Sequence, residues 1–145
     1  MSKLGLAISI AAKAFENKVD KGGKPYILHC LWVMNKVSHL GEEVMICGIL
    51  HDLCEDCKEE GYTFEFLTKQ GFSDKIIGWL HLLTHDKENT PYDEYIKAIS
   101  VSKEATAIKL ADLDHNSQIS RIKGLRKKDI ERIEKYHRSY IYLSN

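Results

Sequence analysis

Apolar side chains recur along this chain at the three- and four-residue steps of an α-helix. Leu4, Ala7, Ile8, Ala11 and Phe15 fall together and predict a first helix over residues 3–17. Residues 18–25 read as a loop, because Asp20-Lys21-Gly22-Gly23-Lys24-Pro25 is polar and glycine-rich. Pro25 suits the opening turn of a second helix, marked by Ile27, Leu31 and Met34 and broken near Gly41. His29 lies two residues round from Ile27 and need not share its direction. A third helix begins near Glu42 and includes Val44, Met45, Ile46, Cys47, Ile49, Leu50 and Leu53. It is apolar on nearly every side, the pattern of a central helix with neighbours all round.

Gly61 interrupts the pattern, residues 63–70 predict a short helix, and Gly71 breaks it. Ser73 is placed to cap a helix carrying Ile76, Ile77, Leu80 and Leu83. Thr90-Pro91-Tyr92-Asp93 reads as another start, with Thr90 as cap, Pro91 in the first position and Asp93 where a capping-box acid belongs. Tyr92, Tyr95, Ile96 and Ile99 continue it. Ser102 caps the next helix, which carries Ala105, Ile108 and Ala111 on one side. Ile130, Ile133, His137 and Tyr140 trace a last amphipathic helix. No segment alternates like a strand over a useful length, and there is neither a repeat nor a second domain. The expectation is an all-α, single-domain helical bundle formed by residues 1–145.

A chain of 145 residues, 43% of them apolar, is long enough to bury a core of its own. Lys plus Arg and Asp plus Glu number 21 each, so overall charge points to no nucleic-acid partner. No apolar run approaches the roughly 18 residues of a membrane helix, and no leader-like segment opens the chain. A cytoplasmic protein without a membrane partner is expected. Cys30, Cys47, Cys54 and Cys57 lie in or beside apolar helical stretches and read as reduced, structural thiols. Cys54 and Cys57 have the spacing of a redox pair, but they bracket two acids late in a helix, which opposes thiolate formation. His81 and His85 sit among leucines and read as structural or pocket-edge residues. Residues 121–138 hold eight basic and three acidic residues, interspersed as on a solvated, internally paired face.

One polar cluster changes this bland picture. The apolar third helix ends in His51-Asp52-Leu53-Cys54-Glu55-Asp56, and such a group is costly there unless something binds it. Residues three and four apart share a helix face, so His51 can accompany Glu55, and Asp52 can accompany Glu55 and Asp56. Lys109, Asp112 and Asn116 likewise offer a cation, a carboxylate and an amide toward one cavity. With His29, these stretches supply two histidines and two separated carboxylates: His29, His51, Asp52 and Asp112. Nitrogen and hard oxygen donors together suit Mn, Fe or Zn better than Ca, leaving positions for water and a phosphate oxygen. The inventory reads as a metal-dependent phosphohydrolase.

His29, the His51-Asp52 doublet and Asp112 resemble the metal-binding signature of the HD superfamily of phosphohydrolases. The nearer resemblance is to the hydrolase domain of RelA/SpoT-type enzymes, which degrade guanosine tetraphosphate and pentaphosphate. Lys24-Pro25-Tyr26-Ile27 followed by His29 is similar to that family's proline-tyrosine-isoleucine-x-histidine motif. His51-Asp52 with Glu55-Asp56 resembles its histidine-aspartate-x-x-glutamate-aspartate motif, and Lys109-Leu110-Ala111-Asp112 with His115-Asn116 resembles its third motif. The likeness extends from about Phe15 to Arg121.

This resemblance implies an HD-type helical fold in which His29, His51, Asp52 and Asp112 hold one metal ion, usually manganese. It implies that Glu55 and Asp56 orient or deprotonate the attacking water. Lys21, Lys87, Lys109 and Asn116 would bind the nucleotide substrate, with Asp86-Lys87 forming a substrate-side loop. The implied reaction releases the 3′-pyrophosphate and leaves GDP or GTP. Relatives commonly carry an arginine where this chain has Asp20, and many have a first-helix histidine where it has Phe15. The missing cation is expected to weaken base or phosphate contacts; Asp20→Arg is expected to tighten substrate binding if this loop reaches the pocket and to change little if it does not. The length suits a small stand-alone hydrolase without synthetase or regulatory domains. Two other readings stay open: a phosphohydrolase of another nucleotide, such as a nucleoside monophosphate, and a non-catalytic nucleotide-binding regulatory protein.

Overall fold

The computed structural model describes residues 3–145; the first two residues of the expected domain lie outside them. Among the described residues, nine α-helices follow in order: α1 (Leu4–Ala14), α2 (Ile27–Lys36), α3 (Glu42–Leu50), α4 (Leu53–Asp56), α5 (Phe64–Lys69), α6 (Asp74–Leu83), α7 (Tyr92–Ile99), α8 (Lys103–Asn116) and α9 (Lys127–Ser144). Single 3-10 turns occur at Ser38–Leu40, Lys58–Glu60 and Ile119–Arg121. The one β-type pairing among the described residues is an isolated bridge between Val19 and Pro25. The chain is an all-α, single-domain helical bundle, as its periodicity predicts.

The axis of the bundle is α3, which packs against α1, α2, α6 and α8. Val44, Ile46, Cys47, Ile49 and Leu50 are all buried. A helix with no polar stripe can hide its surface only if neighbours close round it. Gly48 permits a tight approach by α2: a Cβ there would stand 3.2 Å from the Met34 Cα and 3.3 Å from the Val37 Cγ2. The inward face of α2 is His29, Cys30, Val33, Met34 and Val37, while Ile27 and Leu31 are only half-buried. The histidine therefore points away from Ile27, as its spacing allows, and joins the core face. Ser73 and Ser102 cap α6 and α8 as expected, their hydroxyl oxygens accepting from the Ile76 and Ala105 N–H groups. The four cysteines are free and buried. Burial pushes the Cys54 thiol up to about 11, so it packs as a neutral side chain.

Three local expectations are overturned. The third helix does not continue to Leu53. Regular geometry stops at Leu50, and Asp52 leaves it at φ −102° and ψ 0° before α4 starts. A continuous helix would splay adjacent side chains by about 100°; the turn instead aims His51 and Asp52 at a common point. Thr90 does not cap α7, whose cap position is Pro91. The Thr90 backbone belongs to the preceding loop, its N–H donating to the Asp86 carbonyl and its own carbonyl meeting the His85 ring. In α9, Ile130, His137 and Tyr140 are exposed, while Asp129, Ser139 and Leu143 are buried beside half-buried Ile133 and Tyr136. The inward register holds because Arg132 neutralises Asp129 through two hydrogen bonds to Oδ1.

Candidate metal centre

Four side chains from three separate segments converge where α2, the α3–α4 turn and α8 meet. His29 Nε2 lies 3.0 Å from Asp112 Oδ1 and 3.6 Å from Asp52 Oδ2. His51 Nε2 lies 3.3 Å from Asp112 Oδ1 and 3.0 Å from Asp52 Oδ2. The four donor atoms all lie within 4.8 Å of one another. An ion held at about 2.1 Å sets neighbouring donors roughly 3.0–3.4 Å apart in octahedral or tetrahedral shells, so the group fits a single divalent metal. His29, His51 and Asp112 are buried, and Asp52 is half-buried.

The hydrogen bonds behind these atoms fix the histidine tautomers. The Gly48 carbonyl can only accept, so the 2.7 Å contact makes His51 Nδ1 a donor and leaves Nε2 facing the acids, where it can carry a proton or meet a metal ion. His29 Nδ1 lies 2.7 Å from His115 Nδ1. With His29 Nε2 kept free for a metal, Nδ1 carries the proton and donates to His115. The His115 ring stacks on Trp32, with centroids 4.4 Å apart, and lies edge to edge with the nearly coplanar His29 ring, with centroids 5.0 Å apart. Burial, then the positive Arg121 and His29, push it down to about 4, so it stays a neutral acceptor.

The carboxylates are held as firmly. Asp52 Oδ2 accepts from the Tyr26 hydroxyl at 2.5 Å. Burial and the Asp52 charge raise Tyr26 far above the usual phenol range, so it remains a donor. Phe15, fully buried, packs behind Tyr26 with ring centroids 5.0 Å apart. Asp112 divides its oxygens: Oδ2 accepts from Lys109 Nζ at 2.8 Å, while Oδ1 faces both histidines and accepts from Asn116 Nδ2 at 2.8 Å. Burial opposes the charged form of Asp112, but Lys109 and the histidines outweigh it and hold the carboxyl well below its ordinary range. Burial likewise opposes a charged His51, yet Asp52 and Asp112 raise it well above the usual imidazole range. Buried Asp112 and half-buried Asp52 thus demand positive charge between the rings, which two protons or one divalent ion can provide. Metal binding must displace those protons and strengthens as pH rises.

Asp52 and Asp112 form the floor of a cavity of about 450 Å³, with the two histidines buried behind them. Its wall includes Glu55, Asp56, Lys87, Lys109, Asn116 and, from α9, Lys135 and Tyr136. Tyr26, Asn116 and Tyr136 also border an adjoining cavity of about 300 Å³, lined further by Lys21, Arg121 and Arg132. Of the four cations and amides proposed from sequence for substrate binding, Lys87, Lys109 and Asn116 therefore line the metal cavity and Lys21 the neighbouring one. Glu55 is engaged with the α6–α7 loop: Oε1 accepts from the His85 N–H at 2.9 Å, and Oε2 stands 3.6 Å from Lys87 Nζ. His85 is thereby a pocket-edge residue that also organises its loop. The Asp56 carboxylate has no hydrogen-bond partner among the described residues. Although Asp56 keeps an exposed surface, partial desolvation at the cavity wall, then the Asp52 and Glu55 charges, push it up to about 7.

Several contributors escaped the sequence reading. Tyr26 and His115 sit inside the quoted motifs, yet their roles as partners of Asp52 and His29 depend on which atoms face each other. Lys135 was hidden in the basic stretch that reads as a solvated face. It lies over the Tyr92 ring at 4.4 Å. Burial, followed by Lys109, Arg132 and Lys87, lowers its pKa, the mark of a cation among cations. Asp20 is no defect: its Oδ1 accepts from the Gly22 and Lys24 N–H groups, both at 2.9 Å, and its Oδ2 pairs with Arg121 at 3.0 Å. Asp20→Arg would unpair two amides and set one cation against another, so the expected gain in substrate binding is withdrawn.

No family model matches the chain. A probable GTP pyrophosphokinase of Mycobacterium leprae (strain TN) is 29% identical over an alignment of 131 positions that takes in 79% of this chain. The chain spans 16% of the length of that relative. Among solved structures, one described as a metazoan ortholog of SpoT that hydrolyses ppGpp and plays a role in starvation responses superposes with a TM-score of 0.78. It is 22% identical, and the match covers 99% of this chain and 85% of the other. Among the described residues, no helix is long and apolar enough to cross a membrane. The chain has an all-helical fold that resembles that of the solved SpoT ortholog, and its two-histidine, two-aspartate cluster could hold a single metal ion, as a metal-dependent phosphohydrolase requires.

Proposed function

We propose that this protein hydrolyses the 3′-pyrophosphate of guanosine tetraphosphate and pentaphosphate, giving GDP or GTP and pyrophosphate, with one Mn²⁺ ion held by His29, His51, Asp52 and Asp112. The observation that carries the reading is the meeting, in one cavity, of a two-histidine, two-aspartate cluster with an unpartnered Asp56 and the cations Lys87 and Lys135. The activity stated for the solved SpoT ortholog supports the choice of substrate. A divalent ion bound there supplies Lewis acidity toward a phosphate oxygen and lowers the pKa of water beside it.

The protein's own groups do the rest. Lys87, exposed at the rim, and half-buried Lys135 draw the phosphates over the cluster by their charge. Lys109 keeps Asp112 charged and correctly turned. Lys21 and Asn116 contact the remainder of the nucleotide from the adjoining cavity. Asp56 takes the proton of the attacking water, and Glu55 holds the α6–α7 loop, with its Lys87, against the site. Attack falls on the phosphorus joined to the ribose oxygen, so the P–O3′ bond breaks, the ribose oxygen leaves and takes up a proton as the 3′-hydroxyl of GDP or GTP, and the water oxygen ends in intact pyrophosphate.

A substrate panel with Mn²⁺, scoring pyrophosphate and orthophosphate separately, tests this reading. Guanosine tetraphosphate is expected to yield GDP and pyrophosphate in equal amounts, and no product once the metal is chelated. Lys135→Met is expected to raise KM for that substrate about tenfold or more, the loss of one charge-assisted phosphate contact. Inert guanosine tetraphosphate beside rapid orthophosphate release from a nucleoside monophosphate would replace this substrate assignment with the other enzyme reading.

A further inference from the structure

We infer that Arg121, held in place by Asp20, is a positioning residue of the metal centre. The inference rests on the metal-holding reading of the cluster and extends it to a side chain that touches none of the four ligands. Its guanidinium works as a fork. Nη2 donates to Asp20 Oδ2 at 3.0 Å. Nη1 donates to the His115 carbonyl at 2.8 Å and approaches Asn116 Oδ1 at 3.3 Å.

Both acceptors belong to the last residues of α8, and both residues reach back to ligands. The His115 ring meets His29 Nδ1, and Asn116 Nδ2 donates to Asp112 Oδ1. Arginine can only donate and a carboxylate can only accept, so the Asn116 amide between them has one admissible orientation. A continuous chain therefore runs Asp20–Arg121–Asn116–Asp112, with a branch through His115 to His29. The loop end of this chain is fixed independently. Asp20 Oδ1 accepts two loop amides, and a side chain at Gly22 would collide with the Arg121 carbonyl. The loop between α1 and α2 is thus seated on the 3-10 turn that follows α8. Partners one step removed from metal ligands typically change affinity by about 10–100-fold when lost.

Calorimetric titration of the whole chain with Mn²⁺ alone, well below its melting temperature, tests the assignment without any substrate. Arg121→Gln should weaken Mn²⁺ binding about tenfold or more. Arg121→Lys should fail to restore it, because an ammonium keeps the charge and loses the fork. Asp20→Asn keeps the two loop caps and removes the charge; it should weaken binding less, and add little in the Arg121→Gln background. A purely structural staple would lower the melting temperature of these variants and leave the affinity of the folded protein alone. If Arg121→Gln does not fold, Asp20→Asn and Arg121→Lys carry the comparison. Parental affinity in folded Arg121→Lys and Asp20→Asn would overturn the inference while leaving the metal site intact. A parent chain that binds no Mn²⁺ would overturn the site and the inference together.

Discussion

Asp52→Ala should abolish metal-dependent turnover and leave a folded protein, whereas Asp112→Ala should abolish turnover and also destabilise the fold. Each substitution removes one of two carboxylates that offset an ion's charge, and activity should fall by at least about 10³-fold, a loss of roughly 4 kcal/mol in the transition state. The difference lies in what each acid leaves behind. Asp52 is half-buried and one of its partners is the neutral Tyr26 hydroxyl. Its further partners, His29 and His51, hold it charged but can shed their protons once it is gone, so no charge is stranded. Asp112 is paired with Lys109, whose side chain is only 12% exposed. Without Asp112 that ammonium is left uncompensated, at a cost of about 3–5 kcal/mol. Thermal melts and Mn²⁺ titrations of both variants check the pair. Full turnover in either at stoichiometric metal would refute the ligand assignment, and an Asp112→Ala variant as stable as the parent would refute the role given to Lys109.

Asp56→Asn should cut kcat by about 10²–10⁴-fold, the range for loss of a proton acceptor, with Mn²⁺ affinity close to that of the parent. Glu55→Gln should reduce it less, because its main partner is the His85 backbone N–H, which an amide oxygen still accepts. The pH profile separates the two. A base must be deprotonated to act, so the rate rises with pH through the pKa of that group. With Asp56 raised to about 7 by partial desolvation and by Asp52 and Glu55, the acid limb should lie near or below pH 7. A bound divalent ion offsets the Asp52 charge and moves the limb down. Asp56→Asn should remove the limb and Glu55→Gln should keep it. Normal turnover in both variants would end the acid–base assignment.

Much of this architecture could be read from the chain because helix period and core burial coincide. α3 was visible as a central helix because Val44 to Leu50 leave no polar stripe, and the four ligands were visible because polar residues interrupt apolar helices. What escaped reading is what depends on distant partners. The break at His51 is masked by Leu53 and Cys54, which continue an apolar pattern across the turn. The inward face of α9 includes Asp129, admissible only because Arg132 pairs with it. Asp20 looked like a lost cation because Arg121, its partner, is 101 residues away. Thr90 had the composition of a cap, but its carbonyl was already claimed by His85.

The wide spacing of the ligands bears on how the molecule folds and comes apart. His29 and His51 reach Asp112 across 83 and 61 residues of chain. No such long loop closes before α2, α3 and α8 are assembled, so the site forms late on the folding route. An ion that grips only the finished site slows escape from the native state and leaves the rate of arrival untouched. Occupancy would then lengthen the lifetime of the folded chain, a brake on unfolding that any transient opening of α8 away from α2 must first release.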